Sequence, residues 1–223
     1  MKNEFYKRIF SSLILIPLSF FFIIKGSIFF NFFLGFCFLI TSLEWYMMTN
    51  KKNYHIFGYI FLIFSFYTAY YLRNYDTQGL SSLFIFCFVL IICIATDIGG
   101  YILGKIFKGP KLTKISPNKT YSGMIGGYLF SLLSLIILVG YDELPYNDFM
   151  ELTLETFVIV ILISSVSQIG DITISFFKRV SKIKDTGKLI PGHGGILDRI
   201  DSYLFTPAIV FYIVILLSLL ITS

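Results

Sequence analysis

Apolar residues gather into seven runs, at about residues 9–24, 28–48, 56–72, 80–96, 125–139, 152–169 and 196–221, most of them closed by charged residues or glycines. A helix crosses the hydrocarbon core of a bilayer in about 17–25 residues, close to the length of these runs. None alternates apolar with polar at the period of a barrel strand, and backbone groups in lipid must be satisfied within their own segment. The pattern predicts an all-α polytopic integral membrane protein with about seven transmembrane helices. An eighth, half-embedded piece is an option at 97–107, where Gly99, Gly100 and Gly104 allow either close helix approach or a break. The first run follows a basic start like that of a signal peptide. No A-x-A site comes after it, so it reads as a retained first helix.

Composition agrees. Hydrophobic residues make up 56% of the 223 and charged residues 14%, with a mean hydropathy of +0.80, well away from a soluble domain. A net charge of +5 would suggest nucleic acid in a soluble chain. Here the charge sits between apolar runs. With the N-terminus in the cytoplasm, 16 of the 18 Lys and Arg fall on the inner side, and only Lys25 and Arg73 fall outside. That asymmetry orients the protein by the positive-inside rule and removes nucleic acid as a partner. Segment 141–155 carries five carboxylates and no Lys or Arg, as an external loop can. Cys37, Cys87 and Cys93 lie inside apolar runs without metal-ligand spacing and read as small buried hydrophobes.

There is no internal repeat and no linker, so residues 1–223 form one domain: N-terminal helices over 1–96 and a part bearing the chemistry over 97–223. Two long cytoplasmic loops, 97–122 and 170–202, concentrate the polar residues. Asp97 and Asp171 each end an apolar run, where a carboxylate at the membrane boundary needs a partner. Asp198 and Asp201 stand three apart at the expected start of the last helix, on one face. Alone, such a pair is better explained by the helix dipole. With Asp171 added, oxygen ligands converge from two elements, which suits Mg²⁺ carrying a phosphate-bearing substrate. Around them lie Lys178, Arg179, Lys182, Lys184, Lys188 and Arg199.

The run PGHGG, with His193, Gly194 and Gly195, precedes a helix N-terminus whose amides are able to cradle an anion, although it is not the GxxxxGK[ST] nucleotide loop. In the first loop, five lysines would attract anionic lipid in any case. The compact turn of Ser116, Pro117, Asn118, Lys119 and Thr120 adds donors in one place, and Gly123, Gly126 and Gly127 after it suit helix packing. Glu44, Trp45 and Tyr46 end the second run as an interfacial aromatic belt, with Glu44 and His55 read as structural.

Taken whole, SFFKRVSKIKDTGKLIPGHGGILDRID over 175–201 resembles the signature of the phosphatidate cytidylyltransferases, or CDP-diacylglycerol synthases. It matches in type and spacing at Ser175, Lys178, Arg179, Lys184, Asp185, Gly187, Pro191, His193, Gly194, Gly195, Asp198, Arg199 and Asp201. The resemblance extends back through GDITIS and SPNKT to the Asp97 stretch. Tyr121 and Ser122 depart from the Trp and Glu usual in that family, and the chain is shorter than most members near its N-terminus.

The resemblance implies transfer of CMP from CTP to phosphatidic acid with Mg²⁺, with K⁺ an option as second cation. Asp171 and Asp198 would be metal ligands, then Asp201 and Asp97. Lys119, Lys178, Arg179 and Arg199 would bind phosphates. Ser116, Asn118, Lys184, His193, Gly194 and Gly195 would form the substrate pocket, and Asp185 would either orient a lysine or touch the metal. It places a multi-pass protein in the cytoplasmic (inner) membrane, its site facing the cytoplasm among membrane lipids, and leaves a homodimer open. A CTP-dependent polyprenol or phytol kinase and a non-enzymatic anion carrier are the rivals. The full signature disfavours the first, and the scarcity of polar residues deep in the runs disfavours the second.

Overall fold

The computed structural model describes residues 2–76, 81–113, 115–140, 152–192 and 194–222. Among them are seven helices, one for each apolar run: α1 (Lys2–Lys25), α2 (Ser27–Thr49), α3 (His55–Asn74), α4 (Ser82–Phe107), α5 (Tyr121–Val139), α6 (Leu154–Val180) and α7 (Leu197–Thr222). Helices α2 to α6 are each long and apolar enough to cross a membrane. Large apolar side chains such as Phe32, Leu39, Phe57 and Ile137 are exposed on the outer surface. Such a surface is stable only against lipid, which marks a multi-pass membrane protein. The acidic segment 141–151, Lys114 and His193 lie outside the described residues.

Two predicted boundaries are corrected. Helix α4 continues through Asp97 to Phe107, and α6 continues through Asp171 to Val180. Both acids therefore sit within helices, and the connecting loops shrink to 108–120 and 181–196. The glycines of the α4 extension do not break it. They are where α5 crosses, and a Cβ on Gly126 would lie 2.5 Å from the Gly99 carbonyl oxygen. Small residues let the two backbones meet, and the continuous helix takes the place of a half-embedded piece.

The bundle has two distinct ends. At one, the Arg73 guanidinium donates to the Ile23 carbonyl from Nε at 2.8 Å and from Nη2 at 2.7 Å, and to Ile24 O at 3.3 Å. Its carbon lies 5.8 Å from the Phe30 ring centroid. Arg73, 8% exposed, thus satisfies the last carbonyls of α1 beside the turn at Gly26. At the same end the Ser82 amide donates to Asp76 Oδ1 at 2.7 Å, and that bond holds the Asp76 carboxyl below its ordinary range. Replacing Arg73 with Met is expected to cost about 1.5–3 kcal/mol, the range for hydrogen bonds to charged groups. A lower unfolding temperature in detergent, with unchanged turnover per folded molecule, checks this.

At the other end lie the start of α1, the turn at 50–54 and the loops 108–120 and 181–196. Ser11 donates to Pro191 O at 3.3 Å, and Tyr54 Oη lies 3.3 Å from Ser181 Oγ. Beneath this end a core cluster joins Trp45, Met48, Leu62, Phe66, Ile174, Leu197 and Leu204. Trp45 is 3% exposed, so it is no interfacial belt residue. It packs on Gly58, donates from Nε1 to His55 O at 3.0 Å and stacks edge-on against Phe177. His55 is structural as expected, its Nδ1 lying 2.8 Å from Thr49 Oγ1. Cys93 is buried, whereas Cys37 and Cys87 are only half-buried.

Candidate active site

The loop 108–120 is a tight hairpin, which explains how a lysine-rich stretch acquires a fixed shape. Lys111 and Thr120 form an antiparallel bridge, the Leu112 amide donates to Lys119 O at 2.8 Å, and the Lys119 amide donates to Ser116 O at 3.0 Å. Thr120 then caps α5, its Oγ1 accepting from the Gly123 amide at 3.1 Å. Ser122 hydroxyl donates to Lys108 O, tying the hairpin to the end of α4. Lys119 is thereby presented to α6, where its Nζ reaches Asp171 Oδ2 at 2.5 Å and Gln168 O at 3.4 Å.

Beside this pair opens a cleft of about 460 Å³ between α4, α6, α7 and the hairpin, lined by Asp97, Asp171, Asp198, Asp201, Asn118, Lys119 and Arg199. That volume is in the range of small-molecule sites. Three helices contribute acids to the lining of the cleft, Asp97 from α4, Asp171 from α6, and Asp198 and Asp201 from α7. Asp97 is exposed to it, with Oδ2 accepting from Ser202 Oγ at 3.1 Å. Asp201 is 8% exposed and its Oδ1 accepts from the Ser202 amide at 3.0 Å. Neither is in an ion pair among the described residues. Like charges crowded in a partly dry cleft repel, and a proton or a counter-charge relieves that repulsion.

Asp198 has a different environment. Its Oδ1 meets Lys178 Nζ at 2.7 Å, with the two side chains 4% and 12% exposed respectively. Its Oδ2 accepts from the amides of Thr186 at 2.8 Å and Gly195 at 3.0 Å, with Thr186 Oγ1 at 3.1 Å. Asp198 is therefore the node that holds the signature loop to α6. Gly194 is in the left-handed region at φ +90°, and a Cβ there would lie 2.7 Å from Asp198 Oδ2, so glycine answers both constraints.

Among the described residues, four amides of the expected anion cradle are already taken. The Gly195 amide goes to Asp198, those of Ile196 and Leu197 go to Glu44, and that of Gly194 goes to Ile190 O. The protein's own carboxylates occupy the helix terminus that an external anion would use.

The remaining sequence-predicted residues divide in two. Ser116 shapes the hairpin and does not line the cleft, whereas Asn118 does. Arg179 is exposed, with Nη1 donating to Ile183 O at 3.4 Å. Lys184, Lys188 and Asp185 are exposed on the loop outside the cleft. Sequence reasoning missed the reach of Glu44 and the part played by Thr186. A single acid closing an apolar run was the available signal, because a charge on a membrane helix demands a partner.

A polytopic helical bundle whose one end gathers cations and carboxylates around a cleft suits a membrane enzyme acting on phosphate groups. The cytidylyltransferase family model matches residues 57–217, and the chain belongs to that family. It is 33% identical over 218 residues to the phosphatidate cytidylyltransferase of Rickettsia felis, covering 96% of this chain and 94% of that protein. It is 39% identical over 150 residues to the Bacillus subtilis protein of the same name, 66% of this chain and 52% of that one. Against that of Synechocystis sp. it is 47% identical over 126 residues, 56% of this chain and 41% of that one. The chain thus spans nearly the whole of the rickettsial relative and about half the length of the other two.

Proposed function

We propose that this chain transfers CMP from CTP to phosphatidic acid, forming CDP-diacylglycerol and pyrophosphate. The observation that carries the reading is the cleft itself, where acids from three helices and Lys119 of the hairpin meet at the basic end of the bundle. A phosphate oxygen of phosphatidic acid attacks the α-phosphorus of CTP, and the bond from that phosphorus to the bridging oxygen of the β-phosphate breaks. The attacking monoester has a second pKa near 6 and is already ionised at neutral pH, so no general base is required. Catalysis is then positioning and charge neutralisation.

The residues present fit a divalent cation: Asp97, Asp171 and Asp201 offer hard oxygens on one cleft. Among the described residues no three acidic, His or Cys side chains form a ready cage. Mg²⁺ commonly completes its shell with water and substrate phosphates, and such an ion would neutralise charge developing on the CTP phosphates. Asp198, whose oxygens are held by Lys178, Thr186 and Gly195, would join this set only with Lys178 turned to a substrate phosphate. Lys119 and Arg199 line the cleft and meet phosphates directly, and Asn118 supplies a neutral donor.

The seven helices would all cross the cytoplasmic membrane with this end inward. Lys51, Lys52, Lys105, Lys108, Lys111, Lys182, Lys184 and Lys188 gather at this end, while Lys25 and Arg73 lie at the other. Cytosolic CTP and an interfacial lipid headgroup would then meet where the cleft opens. The test is pyrophosphate release from CTP by purified protein in detergent. Release that requires both phosphatidic acid and Mg²⁺, and that EDTA abolishes, is the expected result. Phosphate transfer to an added polyprenol, or intact CTP under every condition, overturns the reading.

A further inference from the structure

We infer that Glu44, on α2 and outside the segment matched by the family model, is a positioning residue that locks the signature loop onto α7. The residue is 3% exposed, and its carboxylate lies at the loop-bearing end of the bundle. Oε1 accepts from the Ile196 amide at 2.9 Å. Oε2 accepts from the Leu197 amide at 2.8 Å and lies 3.0 Å from Thr186 Oγ1. Each partner is a donor, and a carboxylate is the one side chain of this size that only accepts. Two of those donors are amides at the start of α7, where negative charge is also favoured by the helix dipole.

The Thr186 hydroxyl stands between Glu44 Oε2 and Asp198 Oδ2, at 3.0 and 3.1 Å. It has one proton for two carboxylates, so the two acids are linked through it and the position of one bears on the other. The same contact accounts for two signature glycines. A Cβ on Gly187 would lie 2.6 Å from Glu44 Oε1, and a Cβ on Gly195 would run into both Glu44 oxygens and the Thr186 hydroxyl. Those glycines leave room for a buried carboxylate arriving from α2. The sequence separations are 142 to Thr186 and 153 to Leu197, so the first third of the chain takes part in shaping the site. Glu44 acts through Asp198 and Thr186 and touches no substrate.

The kinetic arm of the test rests on the cytidylyltransferase reading, and a second arm does not. A Gln at 44 keeps the shape but turns an NH₂ toward an amide donor. Glu44→Gln is expected to lower kcat about a hundredfold, as small misplacements of reacting groups do, with the KM for CTP little changed. Tryptic cleavage after Lys184 and Lys188 should rise roughly tenfold or more through local opening, while cleavage after Lys108 stays at the wild-type rate. Glu44→Asp, which keeps the acceptor-only carboxylate, should recover part of both. Wild-type kcat with unchanged loop cleavage in Glu44→Gln overturns the proposal, and so does cleavage that rises equally at Lys108. Should Glu44→Gln fail to fold, Gly187→Ala presses on the same contact from the loop, and wild-type behaviour there overturns it equally. If the wild-type protein transfers no CMP, the enzymatic reading falls while the cleavage arm still tests the Glu44 lock.

Discussion

Asp198→Asn is expected to lower the rate of CMP transfer by roughly 10²–10³-fold, the scale seen when a preorganised polar group at a reacting centre is removed. The carboxylate serves Lys178 on one oxygen and the Thr186 and Gly195 donors on the other. An asparagine satisfies one side only. With its NH₂ toward Lys178, two hydrogen-bearing nitrogens face each other over 2.7 Å; turned the other way, NH₂ meets two amides. Either orientation also leaves the Lys178 charge, 12% exposed, without its counter-ion. Breaking a buried pair in this way costs about 3–5 kcal/mol. The measurement is CDP-diacylglycerol formed at saturating CTP, with the unfolding temperature recorded alongside. A near-wild-type rate would remove Asp198 from the active site.

Asp171→Asn carries the second large effect. This carboxylate is the meeting point of the hairpin and α6, through Lys119 at 2.5 Å, and it shares a cleft with Asp97 and Asp201. Its loss releases Lys119 and removes one hard oxygen from the proposed cation position. Turnover should fall by roughly 10²–10³-fold, and half-maximal activity should need about tenfold more Mg²⁺, because affinity follows the number of charged ligands. The pair Lys119→Met and Asp171→Asn separates the two roles. Lys119→Met is expected to raise the KM for CTP without moving the Mg²⁺ requirement. Equal Mg²⁺ profiles for wild type and Asp171→Asn would dismiss Asp171 as a ligand.

Much of this protein was legible before folding was considered. The apolar runs at 28–48 and 56–72 became α2 and α3 nearly residue for residue, because a lipid-facing helix advertises itself by unbroken hydrophobicity. The acids and bases of 175–201 were equally visible. The ends of α4 and α6 were misjudged for one reason: Asp97 and Asp171 look like boundaries when charge is taken to end a membrane helix. In the folded chain each acid faces a polar cleft instead, and the helix continues past it. Trp45 was misplaced for the complementary reason, since an aromatic at a run's end suits an interface until a glycine on the next helix makes room for it.

The order of the helices, the gathering of basic residues at one end and the membership in the cytidylyltransferase family follow from the sequence alone. They depend on local hydropathy, on charge counted loop by loop and on closely spaced residues. Which amides of the signature loop remain open to a ligand, and which carboxylates are already spoken for, only the tertiary structure decided. Glu44 meets Ile196 across 152 residues, and Lys119 meets Gln168 across 49. Such pairings arise from how helices pack, from the glycines that let α4 and α5 touch and from the need of each buried charge for a donor. No periodicity or motif in one segment encodes them.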